Sequence, residues 1–183
     1  MTDAPNYFEL LSLTPSFEVD LSKLGADYRA LAKTVHPDRF VSASDTERRE
    51  ALAKAASLND AYQTLKNTTS RALYLLALQG RPVSTETTIQ DGEFLFQQMQ
   101  WREELEDLQA LASFDAIAPF KQRLTQARAE LNQLFAAVWQ DPEQLELAEK
   151  YARRMQFLDK LTTEIRQLEE RLDDEPAPEV AGA

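Results

Sequence analysis

Apolar residues recur along most of the chain in alternating steps of three and four, the period of one face of an α-helix. Leu21, Leu24, Tyr28, Leu31 and Val35 form one such series, and Asp20 stands where an N-cap is wanted. Pro37 has no N–H and biases His36 away from helical angles, so this helix is expected to end near Val35 and the chain to turn there. A second series, Leu52, Ala55, Leu58, Tyr62 and Leu65, predicts a helix over roughly 46–66 with Glu47 and Glu50 in its first turn. Two helices joined at their tips make an αα-hairpin. Ahead of them, Tyr7, Phe8, Leu10 and Leu11 predict a short apolar helix closed by Pro15, which gives three elements able to share one small core. A further apolar run over 71–76 meets Gly80-Arg81-Pro82, the Gly-then-Pro ending of a helix.

Three longer series follow. The middle one contains Ile117, Phe120, Leu124, Ala127, Leu131, Leu134 and Val138, and the last Tyr151, Leu158, Leu161, Ile165, Leu168 and Leu172. Short connections near 113–115 and 140–144 make neighbours antiparallel, which predicts a three-helix bundle. The expected class is therefore all-α: an N-terminal helical-hairpin domain over 1–81, a connector over 82–92 and a bundle over 93–172. From Asp173 the chain turns to acid, Pro, Ala and Gly, and the segment 173–183 is expected to be a disordered tail. The first bundle helix has two apolar faces. Phe94, Trp101, Leu105, Leu108 and Ala112 fall together as its core stripe, whereas Leu95, Phe96 and Met99 lie roughly 100–200° away on the wheel, with Glu103 beside them. Either the N-terminal domain or the connector covers this second face, or it is a partner-binding patch, since an apolar cluster rimmed by charge is what an interface presents.

The candidate chemistry sits at the hairpin tip. His36-Pro37-Asp38 holds the only histidine of the chain, and the proline fixes a turn from which both flanking side chains project. A His beside an Asp invites an acid–base reading, but no cysteine and no clear serine motif supplies a nucleophile. The four glycines form no phosphate loop. The chain is expected not to be an enzyme. With one histidine and no cysteine it has no disulfide, zinc ribbon or usual histidine metal site, and neither metal nor cofactor is expected.

Charge separates the halves. Residues 1–80 carry 9 Lys or Arg against 10 Asp or Glu, and residues 81–183 carry 11 against 21. The acidic excess argues against nucleic acid, whose phosphates need basic partners. Within the near-neutral half, Lys23, Arg29, Lys33 and Arg39 cluster on or just after the helix leading into the tripeptide. They read either as an ordinary solvated helix face or as a docking surface for an acidic protein. Residues 1–6 are too short and polar for a signal peptide, and no apolar run approaches about 18 residues, so no membrane span is expected and the chain reads as soluble and cytoplasmic.

Asn6-Tyr7-Phe8-Glu9-Leu10-Leu11, Tyr28-Arg29, His36-Pro37-Asp38-Arg39-Phe40 and Leu58-Asn59-Asp60-Ala61-Tyr62 recur in the order and spacing of a J-domain. Together with Phe94-Leu95-Phe96, Arg102-Glu103-Glu104-Leu105 and Phe157-Leu158-Asp159-Lys160-Leu161, they make residues 6–172 resemble the HscB family, J-type co-chaperones of iron–sulfur cluster assembly. Two departures stand out: Ser12-Leu13 lies where a glycine is common after the first helix, and Gly25 interrupts the second, at about 1 kcal/mol relative to alanine. The resemblance implies that the tripeptide loop docks on a DnaK-type ATPase chaperone (HscA-like) and accelerates its ATP hydrolysis. The implied contacts are His36, Pro37, Asp38 and Arg39, with Lys23, Arg29 and Lys33 supplying orientation. It also implies that an iron–sulfur scaffold protein (IscU-like) is held by Leu95, Phe96, Met99, Gln100, Arg102 and Glu103, together with Phe157 from the last helix. Gln100 stands where family members can carry an acidic residue. Lacking cysteine, the chain cannot ligate a cluster through thiolates, so the cluster is expected to sit on the partner. The alternatives are a J-protein with a different client and a helical adaptor that dimerises through the second apolar face. Against a broad-specificity client binder, the chain has no Gly/Phe-rich linker and no cysteine-repeat zinc module.

Overall fold

The structure, a computed structural model, describes residues 5–83 and 91–174. The regular elements among the described residues are all helices, and the chain divides into two compact units, the first ending at Val83. No described helix is long and apolar enough to cross a membrane.

The first unit opens with α1 (Tyr7–Leu10), held by a reciprocal capping box between Asn6 and Glu9. Its end comes sooner than Pro15, at Ser12, whose φ of 56° lies in the left-handed region. Helix α2 (Leu21–Thr34) starts as its sequence suggests: the Asp20 carboxylate accepts the N–H groups of Ser22 and Lys23 at 2.9 and 3.0 Å. Its C-cap is Val35, as the following proline dictates. Helix α3 (Asp45–Lys66) has a second capping box, between Ser44 and Glu47. Tyr28 of α2 stacks on Tyr62 of α3 with centroids 4.2 Å apart. Helix α4 (Thr68–Leu78) ends at Gly80, where φ is 74° and the Arg81 N–H reaches back to the Leu76 carbonyl at 2.9 Å.

Phe8, Leu11, Phe17, Leu24, Leu58, Leu65, Leu75 and Leu76 form the core of this unit. The expected stripe on α3 is out of phase at its start. Leu52 is exposed, and Ala51 and Ala61 take the buried face. Leu58 and Leu65 of the expected series stay in the core, so the shift is confined to single positions, where a small alanine faces the neighbouring helices. Leu21, in the first turn of α2, is likewise exposed.

Arg71 is buried beneath α4, with its guanidinium donating to the Leu65 carbonyl at the end of α3 and lying 5.5 Å from the Phe17 ring. Burial lowers its pKa from the ordinary value, and its Nε has no partner. One side chain thus joins the end of α3, the start of α4 and the loop between α1 and α2.

The second unit contains α5 (Gly92–Leu111), α6 (Phe114–Val138) and α7 (Leu145–Asp174), with a 3₁₀ turn over Pro142–Gln144. Asp173 and Asp174, expected in the tail, are the last residues of α7, while 175–183 lie outside the described residues, as do 84–90 of the expected connector. Ile117, Phe120, Leu124, Leu131, Phe135 and Val138 of α6 meet Ala148, Ala152, Met155, Leu158, Leu161, Ile165 and Leu168 of α7 in the core. Most of the expected α6 stripe is buried, and it departs from expectation at one place, where Phe135 is buried and Leu134 exposed. Phe94, Leu105 and Leu108 bury the core face of α5. Ala112 leaves the stripe to become the left-handed C-cap of α5, at φ 47°.

Charged pairs cross between these helices: Arg102 with Glu164, Lys121 with Glu169, Arg123 with Glu104, and Arg128 with Asp159. At the start of α5, Asp91 accepts the Phe94 N–H at 3.2 Å. The same carboxylate takes two hydrogen bonds from Arg154 of α7, at 2.9 and 3.0 Å. The Arg154 guanidinium also lies 5.0 Å from the Phe94 ring.

Candidate functional sites

The tripeptide forms a 3₁₀ turn over Pro37–Phe40 with His36 as its N-cap. The imidazole Nδ1 accepts the Asp38 N–H at 3.3 Å. The Asp38 carboxylate lies 3.5 Å from the same Nδ1. Arg39 ties the turn to α2, its N–H donating to the His36 carbonyl at 3.0 Å and its Nη1 to the Lys33 carbonyl at 3.5 Å. The Asp38 side chain remains 87 % exposed and that of His36 59 % exposed. The local bonds therefore fix the backbone while leaving most of the carboxylate open to solvent. A carboxylate presented in this way can accept a bidentate arginine from outside the molecule.

The neighbouring cations are not equivalent. Lys23 is bound to Asp27 one turn along α2, at 2.5 Å, so its charge is met locally. Arg29 and Lys33 are exposed. The Arg29 Nη1 sits 3.3 Å from where a Cβ on Gly25 would stand, so this glycine leaves room for the guanidinium to fold along the helix.

On the second unit, the three residues that sequence places off the core stripe of α5 are open to solvent: Leu95 at 58 %, Phe96 at 63 % and Met99 at 62 %. Leu95, Met99, Arg102 and Glu103 line an open groove between α5 and α7 together with Phe157, Gln98 and Glu106. Phe96 and Gln100 are exposed on the same helix but do not line it. Gln98 and Glu106 escaped the sequence reading, although the positions 95, 99, 102 and 106 repeat in steps of four, three and four and could have signalled Glu106. Phe157 is half-buried. Its ring lies parallel to Trp101 at 6.0 Å, edge-on to Phe94 at 5.5 Å and beneath the Arg102 guanidinium at 5.7 Å. Arg102 is itself engaged, with one Nη1 reaching both Glu164 oxygens at 2.7 and 2.6 Å. Nothing in the sequence marks Glu164, because its contact spans 62 residues.

An exposed His-Pro-Asp turn between α2 and α3, on a unit built of four helices, followed by a separate three-helix unit, is the architecture of a J-domain co-chaperone with a second helical module. Residues 6–74 match the family model described as DnaJ domain. Residues 90–166 match that described as HSCB C-terminal oligomerisation domain. Among solved structures, the chain is similar to the chaperone HscB from Vibrio cholerae, with 40 % identity and a TM-score of 0.82 over 91 % of this chain and 99 % of that one. It is also similar to the human co-chaperone protein HscB, with 27 % identity and a TM-score of 0.84 over 92 % of this chain and 84 % of that one. The chain belongs to the HscB family.

Proposed function

We propose that this protein stimulates the ATPase of a specialised, HscA-like DnaK-type chaperone through its His-Pro-Asp turn. In the same reading it delivers an IscU-like iron–sulfur scaffold protein to that chaperone through the α5–α7 groove. The observation that carries the reading is the pairing of the two sites in one chain: a pinned turn with an exposed carboxylate on the first unit and an apolar groove on the second. In the chaperone complex Asp38 accepts an arginine, and His36 and Pro37 keep the turn in shape. Exposed Arg29 and Lys33, with Arg39 at the base of the turn, orient the encounter. Such contacts shift the chaperone between conformations only by their difference in free energy between those states. On the groove, Leu95, Met99 and Phe157 supply apolar area, which exposed Phe96 extends along α5, while Glu103, with Gln100 beside it, supplies a polar rim.

Steady-state ATPase of the chaperone with and without this protein tests the first half. Stimulation is expected, and it should be lost with His36→Gln. Equal stimulation by that variant contradicts the role of the turn. Titration with the scaffold protein tests the second half: Leu95→Ser, Phe96→Ser and Met99→Ser together should abolish binding, and unchanged affinity removes the groove from the reading. The family description of the C-terminal module as an oligomerisation domain favours a second reading, in which the exposed face of α5 joins two copies of the chain. Sedimentation over a range of concentrations separates the two, since self-association abolished by the same triple substitution would support the dimeric adaptor.

A further inference from the structure

We propose that Arg102 and Glu164 form a positioning pair for Phe157: they hold the ring that lines the α5–α7 groove, and Arg102 serves the bound partner through that ring. This rests on reading the groove as the scaffold-binding site. Glu164 follows Phe157 by seven residues on α7, about two turns, and so lies on the same face of that helix. Arg102 spans from α5 to this face, with its guanidinium over the Phe157 ring and one nitrogen held by both carboxylate oxygens of Glu164. Trp101 and Phe94 contact the ring as well. Without the ion pair the guanidinium has no fixed place above the ring, and a half-buried aromatic at a groove wall gains rotational freedom that binding must then remove.

The rival role for Arg102, direct contact with an acidic group of the partner, makes the opposite prediction. In that case Glu164 competes with the partner for the guanidinium, and removing its charge leaves affinity unchanged or improves it. Under the positioning role, Glu164→Gln weakens binding even though Glu164 does not line the groove. The expected loss is about three- to fivefold, the scale of a part-exposed ion pair.

The test is calorimetric titration of the full chain with a purified IscU-type scaffold protein, for wild type, Glu164→Gln, Phe157→Leu and the double variant. Phenylalanine-ring NMR of the unbound wild-type and Glu164→Gln proteins accompanies it. A three- to fivefold loss in Glu164→Gln that disappears in the Phe157→Leu background, together with a displaced Phe157 ring resonance, supports positioning. Unchanged or tighter binding by Glu164→Gln, or a loss that persists without Phe157, overturns it. If wild type does not bind the scaffold, the functional reading fails separately. The ring resonance of the unbound proteins then decides the positioning role alone, and an unmoved resonance refutes it.

Discussion

Ser12 is held at φ 56°, where a non-glycine L-residue costs about 1–2 kcal/mol. Ser12→Gly should therefore raise the stability of the first unit by about 0.5–1 kcal/mol, after allowing for the greater freedom of glycine in the unfolded chain. A higher urea midpoint is the expected reading, and an unchanged or lower one contradicts it. Gly25 is the converse case. Its φ is not positive, and a Cβ there would meet only the far end of the flexible Arg29 side chain at 3.3 Å and the Tyr62 hydroxyl at 3.8 Å. Gly25→Ala should stabilise by about 0.5–1 kcal/mol through helix propensity, again read in urea. Both positions are visible in the sequence as departures from the J-domain pattern. Only the backbone angle at one and the neighbour at the other say that a glycine is wanted at 12 and dispensable at 25. Arg71→Ala should cost about 2–3 kcal/mol by leaving the Leu65 carbonyl unpaired and removing the cover of Phe17, and a melting temperature equal to wild type would rule this out.

The helix ends were legible because their causes are local: Asp20 caps α2, Pro37 stops it, and Gly80 closes α4. The helix faces were legible in number and at most positions, but not at every one. Periodicity says that α3 and α6 each have an apolar face, but the choice of Ala51 over Leu52 and of Phe135 over Leu134 belongs to the neighbouring helices. The second face of α5 was readable because its members fall in a separate sector, whereas its support from Glu164 comes from another helix and has no local trace.

The cap of α3 also carries a pH dependence. Hydrogen bonds from the Ser44 hydroxyl and N–H hold the Glu47 carboxyl below its ordinary value of 4.5. A carboxyl depressed by folding stabilises above its unfolded pKa and ceases to do so as pH falls through the folded one. Ser44→Ala, which removes the larger of these bonds, should make stability fall less steeply with acidification in that range. Parallel acid titrations of wild type and variant by circular dichroism would show the difference, and coincident slopes would exclude it.

On the scale of the whole molecule, the proposed chaperone and scaffold sites lie on separate compact units, so their defects should be separable. His36→Gln should leave scaffold affinity at the wild-type value, and the triple substitution on α5 should leave scaffold-independent ATPase stimulation intact. If either variant loses both activities, the two sites do not act independently. The cations beside the turn are exposed and lie on the near-neutral half of a chain whose formal charge is −11. Their steering should therefore be screened by salt. The concentration needed for half-maximal ATPase stimulation should rise several-fold between low and high ionic strength, while a salt-independent value would deny these cations their role.

Asp91 caps the first turn of α5 and is gripped there by Arg154 of α7, so the axial register of α5 is set from inside the bundle. Changing the chain length upstream of Asp91 should therefore leave Leu95 and Met99 facing the groove, because the grip of Arg154 on the cap does not depend on what precedes it.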